Sequence, residues 1–222
     1  MILSCEMKIN EVKRISLQDA NKMMDEHHYL GSCRAASKET CFGTFENGLL
    51  VAAAIYAIPH APKIPNTYRD LRRLVASKNM IGTLSSFLSK TLKELYLDGW
   101  DAAITWADQA AGHHGGIYQA TNWVYVEPKS YNWNSSYRLP DGSVRDHRSI
   151  FKEFGTTSKK KMKELRPEWE PFLPKMKFRY VYPLNKNLEK IVEELKAKRS
   201  PYPKPFSSEI RRKDYRTKNK SI

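Results

Sequence analysis

The stretch "TWADQAAGHHGGIYQATNW", residues 105–123, concentrates groups that move protons and stack on flat rings. Asp108 is a carboxylate that can accept a proton. Tyr118 is a phenol that can give or take one. Held beside a reacting group, such side chains act as general bases and acids. Gly112, Gly115 and Gly116 let the chain turn tightly and approach a ligand closely. His113 and His114 are adjacent, so they do not form the i, i+4 pair that binds zinc from one helix face. The plain alternative is that Asp108 caps a turn and the glycines only shape a loop. A second stretch, "DEHHYLG" at 25–31, adds His28 and Tyr29. Histidines at a helix C-terminus stabilise its dipole. The sharper reading puts this imidazole and phenol in a pocket facing Asp108. A third stretch runs from Ser77 to Ser86. Lys78 supplies a countercharge, Gly82 allows close approach, and Thr83, Ser85 and Ser86 offer hydroxyls where a helix start offers unpaired N–H groups to an anion. A capped helix with no ligand fits the same residues.

The elements that must position these groups follow from periodicity and punctuation. "MKINEVKRI" alternates as a first strand. Ser16 caps a helix in "LQDANKMMDEHHY", with Leu17, Ala20, Met23 and Met24 on one face. "TCFGTFENGLLVAAAIY" is a hairpin turning at Asn47-Gly48. "RDLRRLVAS" is a strand, and a long helix follows from Met80 to Leu97, its apolar face formed by Ile81, Leu84, Leu88, Leu92 and Leu95. "DAAITWAD" is a strand ending on Asp108, the strand end where open α/β sheets place ligands. "GGIYQATN" is a short helix, "WVYVEP" a strand, "SYRLPDGSVRDH" a hairpin around Pro140-Asp141-Gly142, and "MKFRYVYPL" a late strand. Trp106 and Trp123 fall in strands and read first as core. The fold class is α/β, a mixed, mostly antiparallel sheet with helices on both faces. This order matches the acyl-CoA N-acyltransferase (GNAT) fold, in which the loop before the long helix binds the CoA pyrophosphate. The usual Gln/Arg-x-x-Gly-x-Gly/Ala pattern of that loop is absent, and Gly82 stands alone.

The totals narrow the classes. Thirty-eight Lys and Arg against 24 Asp and Glu give a formal charge of +14 and a pI near 9.6. Such a surface attracts polyanions, nucleic acid above all. Lys159, Lys160, Lys161, Lys163 and Arg166 cluster after "FGTTS", and Lys175, Lys177 and Arg179 follow. Either they contact phosphates or they form a solvated face. Cys5, Cys33 and Cys41 are scattered, with no C-x-x-C pair, which argues against a structural zinc or disulfide framework. The longest apolar run, "LLVAAAIYAI", is half of the roughly 20 residues that span a bilayer. A cytoplasmic protein is expected. The core domain is expected over residues 1–185, a charged helix over 186–200, and a basic, disordered tail over 201–222.

"HHYLG", "RRLVAS" before a Ser-rich helix, and above all "WADQAAGHHGGIYQATNWVYV" resemble the Mom family of bacteriophage DNA-modification proteins. "DGSVRDHRSIFKEFGTTS" and "KMKFRYVYPL" continue the likeness, which covers roughly residues 15 to 185. The resemblance implies an acyltransferase-like fold and an enzyme that places a carbamoylmethyl group on N6 of adenine in double-stranded DNA, shielding phage DNA from host restriction. It implies catalytic roles for His28, Tyr29, Asp108 and Tyr118. It implies contacts to acetyl-CoA or a related acyl-CoA near Arg72 or Arg73 and Ser85, and an iron ion on His28, Tyr29 and Asp108. Two other classes remain open: an N-acyltransferase for a small amine or protein lysine, and a non-catalytic basic DNA-binding protein.

Overall fold

A computed structural model describes residues 11–34, 38–61, 63–109, 112–126, 136–145, 147–172, 177–185, 193, 195 and 198–204. Lys175, the expected strand start at Met7, most of the charged segment 186–200 and tail residues 205–222 lie outside these. In chain order the elements are β1 (Val12–Ile15), α1 (Leu17–His27), β2 (Thr40–Glu46), β3 (Leu49–Ala57), β4 (Tyr68–Ala76), α2 (Leu84–Leu97), β5 (Ala102–Asp108) and α3 (Gly116–Ala120). Then come β6 (Val124–Tyr125), β7 (Ser136–Arg138), β8 (Val144–Arg145), α4 (His147–Phe154), α5 (Lys159–Leu165), β9 (Glu170–Phe172) and β10 (Lys177–Pro183). The chain divides into two compact units, residues 1–107, 114–127 and 178–205, and residues 108–113, 128–177 and 206–222.

The first unit is built on a seven-stranded sheet of order β1-β2-β3-β4-β5-β10-β6. The pairs β1–β2, β2–β3, β3–β4 and β10–β6 are antiparallel, and β4–β5 is parallel. Alternation along β3 splits its side chains between two cores. Ala52, Ala54 and Tyr56 join Phe87, Leu88, Leu92 and Leu95 of α2 on one face. Ala53 and Ile55 join Ala20, Met23 and Met24 of α1 on the other. Helices therefore cover both faces, as the sequence predicts. Each fully buried large side chain contributes roughly 1.5–3 kcal/mol through lost apolar exposure.

Local chemistry sets the boundaries. Ser16 Oγ accepts the Asp19 N–H at 3.0 Å and starts α1. Asn47 and Gly48 turn the β2–β3 hairpin at φ 51° and 79°, the left-handed values a tight hairpin needs. The long helix starts at Leu84, four residues later than its apolar spacing suggests. Gly82 is left-handed at φ 98°, and Thr83 caps the helix by accepting the Ser86 N–H at 3.2 Å. Ile81 is consequently 63% exposed and lies outside the buried face.

Ile55 pairs with Arg73 but Tyr56 pairs with Leu71, so Arg72 is an extra residue, a β-bulge in β4. Pairing with β5 covers only Tyr68–Ala102, Arg69–Ala103 and Asp70–Ile104. Near the chain end, Arg199 bridges Val126, the Ser200 N–H donates to the Tyr125 carbonyl, and the Tyr202 hydroxyl donates to the Trp123 carbonyl at 2.7 Å. The first residues of the basic tail are thus packed beside β6.

The second unit has a three-stranded sheet, β8-β7-β9. The β7–β8 hairpin turns where Pro140-Asp141-Gly142 predicts. Strand β9 and helices α4 and α5 are additions to the sequence reading. Tyr137, Ile150 and Met162 form its core, with Phe154 and Trp169 against it.

Candidate active site

The parallel ladder between β4 and β5 stops at Asp70 and Ile104. The next carbonyl on β4, that of Leu71, is met by a side chain instead of a strand amide: Thr105 Oγ1 donates to it at 3.0 Å. The β4–β5 pairing extends no further than this point. Thr105 is a fully buried polar residue in a strand that is otherwise apolar up to its terminal Asp108. Its hydroxyl also lies 3.4 Å from the Tyr118 hydroxyl. Helix α3 carries Tyr118 to this place, and the ring packs on Trp123 and Tyr180, each at 5.3 Å between centroids.

The Tyr118 ring keeps an accessible edge while its hydroxyl is desolvated. Burial raises its ionisation above that of an ordinary phenol, with the negative charge of Asp70 adding to the effect and the Thr105 hydroxyl opposing it. A phenol so held is neutral near pH 7. In that state it can donate a proton. Two further phenols share the neighbourhood. Tyr56 is buried, bonded to Thr91 at 2.8 Å, and likewise raised by burial. Tyr180 is pushed up to about 12, chiefly by burial; its hydroxyl donates to the His114 carbonyl at 2.5 Å and accepts from Gln119 Nε2 at 3.0 Å.

These three phenols predict an alkaline weakness. In the unfolded chain they ionise near pH 10, whereas the fold holds them neutral to higher pH. Their contribution to stability is present below that pH and is lost as pH rises through the gap. The thermal midpoint is expected to fall steeply above about pH 10, and less steeply in Tyr56→Phe. Melting curves at stepped pH check this; a midpoint as flat above pH 10 as below it contradicts the burial assigned to these groups.

The expected His28–Tyr29 pair forms a unit of its own. The rings stack at 4.8 Å with a 22° interplanar angle, and Tyr29 is 41% exposed. His28 ends α1, and its Nδ1 accepts the Leu30 N–H at 3.1 Å. A neutral imidazole that accepts at Nδ1 carries its proton on Nε2. In that tautomer His28 carries its donor at Nε2. Among the described residues no group of three or more His, Cys, Asp or Glu is placed to hold a metal ion. The iron implied on His28, Tyr29 and Asp108 does not fit this donor set.

The two arginines expected near CoA diverge because of the bulge. Arg73 Nε donates to the Gly31 carbonyl at 3.2 Å, joining β4 to the turn that holds His28 and Tyr29. Arg72 donates to the Ile58 carbonyl at 3.1 Å, contacts His60 Nε2 at 2.8 Å and lies 3.7 Å from Asp70. Sequence reasoning missed Thr105, Asp70 and His60. A threonine inside "AAITWA" was the available signal for the first.

The loop from Ser77 to Thr83 joins β4 to α2, as an anion-binding junction requires. Lys78, Gly82 and Thr83 are exposed there, and Ser85 sits 3.0 Å from the Thr83 hydroxyl. Several loop amides are taken: the Asn79 N–H donates to Ser77 Oγ at 3.3 Å, the Met80 N–H to the Ser77 carbonyl at 3.4 Å, and the Ile81 N–H to Glu46 Oε1 at 2.6 Å. Trp123 is fully buried, and Trp106 packs on the Ala102–Ile104 cluster, so both belong to the core.

In the second unit Asp108 pairs with Lys177 at 3.5 Å. Lys159, Lys160, Lys161 and Lys163 are exposed on α5, which is anchored by buried Met162. Arg166 and Arg145 lie over the Trp169 ring at 5.8 and 5.6 Å. Arg179, in the first unit, is half-buried, and its Nε is shielded with no hydrogen-bond partner.

Among the described residues no helix is long and apolar enough to cross a membrane. No curated protein sequence matched the chain. Solved structures similar to it include the ribosomal-protein-S18-alanine N-acetyltransferase from Escherichia coli, with a TM-score of 0.47 and 11% identity over 80% of this chain and 97% of that one. The ribosomal-protein-alanine N-acetyltransferase from Brucella melitensis gives 0.45 and 9% over 78% and 99%. A Bacillus subtilis acetyltransferase in complex with CoA gives 0.43 and 8% over 78% and 96%. The architecture itself rests on the strand order and pairing described above. The model of the Mom protein family matches residues 10–204, nearly the whole of the described fold, and the chain therefore belongs to the Mom family.

Proposed function

We propose that this protein is a transferase that modifies N6 of adenine in double-stranded DNA, leaving a carbamoylmethyl group that protects phage DNA from restriction in the host cytoplasm. Family membership supports the substrate. The observation that carries the transfer chemistry is the end of the β4–β5 pairing at Asp70 and Ile104 with the Tyr118 hydroxyl beside Thr105 just past it.

The residues fit an acyl-CoA in two respects. A β4–β5 pairing that ends at Asp70 and Ile104 leaves backbone groups for an extended chain, and the loop carrying Lys78, Gly82 and Thr83 precedes the N-terminus of a long helix. Glu46 opposes a phosphate at Ile81 and must move aside for one. When bound, the carrier supplies an activated thioester. Tyr118 gives its proton to the leaving sulfur as the carbon–sulfur bond breaks. The carboxylate of Asp108 takes the proton that adenine N6 loses as its new bond forms, because that lone pair is delocalised into the ring and the amine is a poor nucleophile. The exposed Tyr29 face, stacked on His28, supports a purine turned out of the duplex. Aminolysis of a thioester alone would leave an amide on N6. A carbamoylmethyl product joins N6 to a methylene carbon rather than to a carbonyl carbon, so its route includes a further step.

The test is direct. DNA from bacteria expressing the protein is digested to nucleosides and weighed by mass spectrometry. A heavier deoxyadenosine is expected with the native chain and not with Asp108→Ala. Unmodified DNA beside soluble, folded protein rejects the reading. An N-acyltransferase for a small amine or lysine predicts that outcome, as does a non-catalytic DNA-binding protein.

Binding to duplex DNA should weaken steeply with salt, because each neutralised phosphate releases counterions. Replacing Lys159, Lys160, Lys161 and Lys163 by Ala together should flatten the log–log salt dependence by about three to four. An unchanged slope would leave these lysines a solvated face.

A further inference from the structure

The hydroxyl of Thr105 has one proton and two neighbours. The Leu71 carbonyl, 3.0 Å away, can only accept. The Tyr118 hydroxyl, 3.4 Å away, can accept or donate. Thr105 Oγ1 is placed to donate to either oxygen, and its single proton serves one at a time; at rest the shorter contact, to the Leu71 carbonyl, takes it. This arrangement changes when the phenol loses its proton. A phenolate is a far stronger acceptor than an amide carbonyl, and hydrogen bonds to ionised oxygen are about twice as strong as neutral ones. The hydroxyl needs only to rotate about its carbon–oxygen bond to turn from one acceptor to the other.

We propose that Thr105 is a positioning residue for Tyr118, a hydroxyl rotor that turns from the Leu71 carbonyl to the phenolate oxygen as the phenol protonates the leaving group. The inference rests on the acid role given to Tyr118 above. In the step, the carbon–sulfur bond of the thioester breaks, the Tyr118 proton forms the sulfur–hydrogen bond, and the negative charge moves to the phenolate. Thr105 then stabilises that charge until the phenol regains a proton from solvent. The end of the β4–β5 ladder makes this possible. One register further, a strand amide would meet the Leu71 carbonyl, and Thr105 would have no second acceptor to leave.

The protein contains its own control. Tyr56 and Thr91 repeat the motif, with hydroxyls 2.8 Å apart and the Thr91 hydroxyl donating to the Leu88 carbonyl at 2.8 Å. Tyr56 is wholly buried, so the same wiring there serves packing alone.

The experiment places 3,5-difluorotyrosine at position 118 of the full chain. The fluorines bring the phenol's titration down to a pH where the fold is intact, and fluorine NMR follows it. In Thr105→Val the titration midpoint is expected to rise by about one pH unit, the effect of one charge-assisted hydrogen bond. Thr105→Ser should restore it, and Thr91→Val should leave it unmoved. Thr105→Ala, which removes the same proton with less strain on the strand, is measured in parallel. Without the fluorines, modified deoxyadenosine should fall about tenfold in Thr105→Val and Thr105→Ala and recover in Thr105→Ser. A titration in both hydroxyl-free variants that matches the native one overturns the proposal. Failure of the underlying reading is separate: Tyr118→Phe would then modify DNA as well as the native chain, whatever the titration shows.

Discussion

Replacing Tyr118 by Phe is expected to cut the yield of modified nucleoside by about 10²–10⁴-fold, the contribution of a positioned general acid, while the protein melts within a few degrees of the native chain. The asymmetry follows from where the hydroxyl sits. The ring's packing against Trp123 and Tyr180 survives the substitution. The hydroxyl makes one long contact, to Thr105 at 3.4 Å, and a hydrogen bond of that kind contributes about 1 kcal/mol or less. Thr105 keeps its stronger bond to the Leu71 carbonyl. Because burial holds the phenol protonated well above neutrality, native activity should show no loss of the acid between pH 6 and 9 from this group. Any fall in rate there comes from elsewhere. Nucleoside mass spectrometry beside a melting curve decides the matter. Full modification by a folded Tyr118→Phe protein removes the acid from the mechanism.

The Gly115→Ala variant should lose the fold's support for that same tyrosine. Gly115 is the cap residue before α3 and is left-handed at φ 83°. A methyl group there would land on the Tyr180 ring, at its Cε2, Cζ and hydroxyl. The ring cannot swing aside cheaply, because its hydroxyl is held by the His114 carbonyl and by Gln119. Left-handed backbone costs an alanine about 1–2 kcal/mol, and forcing a methyl into a packed site costs about 1–3 kcal/mol more. For a chain of this length the sum lowers the thermal midpoint by roughly 5–15 °C. The damage is local to the turn that aims Tyr118, so activity should fall faster than stability as temperature rises. A melt identical to the native one shows that the glycine is not required by this contact.

The fold was legible in the sequence wherever one short segment carries both the signal and its cause. Ser16 caps the helix it precedes, Asn47-Gly48 turns the hairpin it joins, and "DAAITWAD" ends on its aspartate. The start of α2 was misread because Ile81 fits the apolar period, and only the left-handed Gly82 with the Thr83 cap breaks it. The short strand β9 contains Pro171, which removes a donor and hides it from alternation. Site residues divide the same way. The types of Tyr118 and Asp108 advertise proton chemistry. Thr105 gains its meaning from a carbonyl 34 residues away, and Tyr56 from a hydroxyl 35 residues away. No local pattern encodes either. The tautomer of His28 depends on a backbone amide two residues on, a geometry that residue identity does not specify.

The bulge at Arg72 makes β4 behave like a crankshaft. Leu71 and Arg73 are two residues apart and would share a side in a regular strand, yet Leu71 packs with the α2 core while Arg73 pairs with Ile55 on the α1 side. Removing one residue here is therefore a different class of change from altering one. It would make Tyr56–Leu71 and Ile55–Arg73 consecutive pairs of a regular ladder, keeping Arg73, Leu74 and Val75 on their present faces while losing the Arg72 contacts to Ile58 and His60.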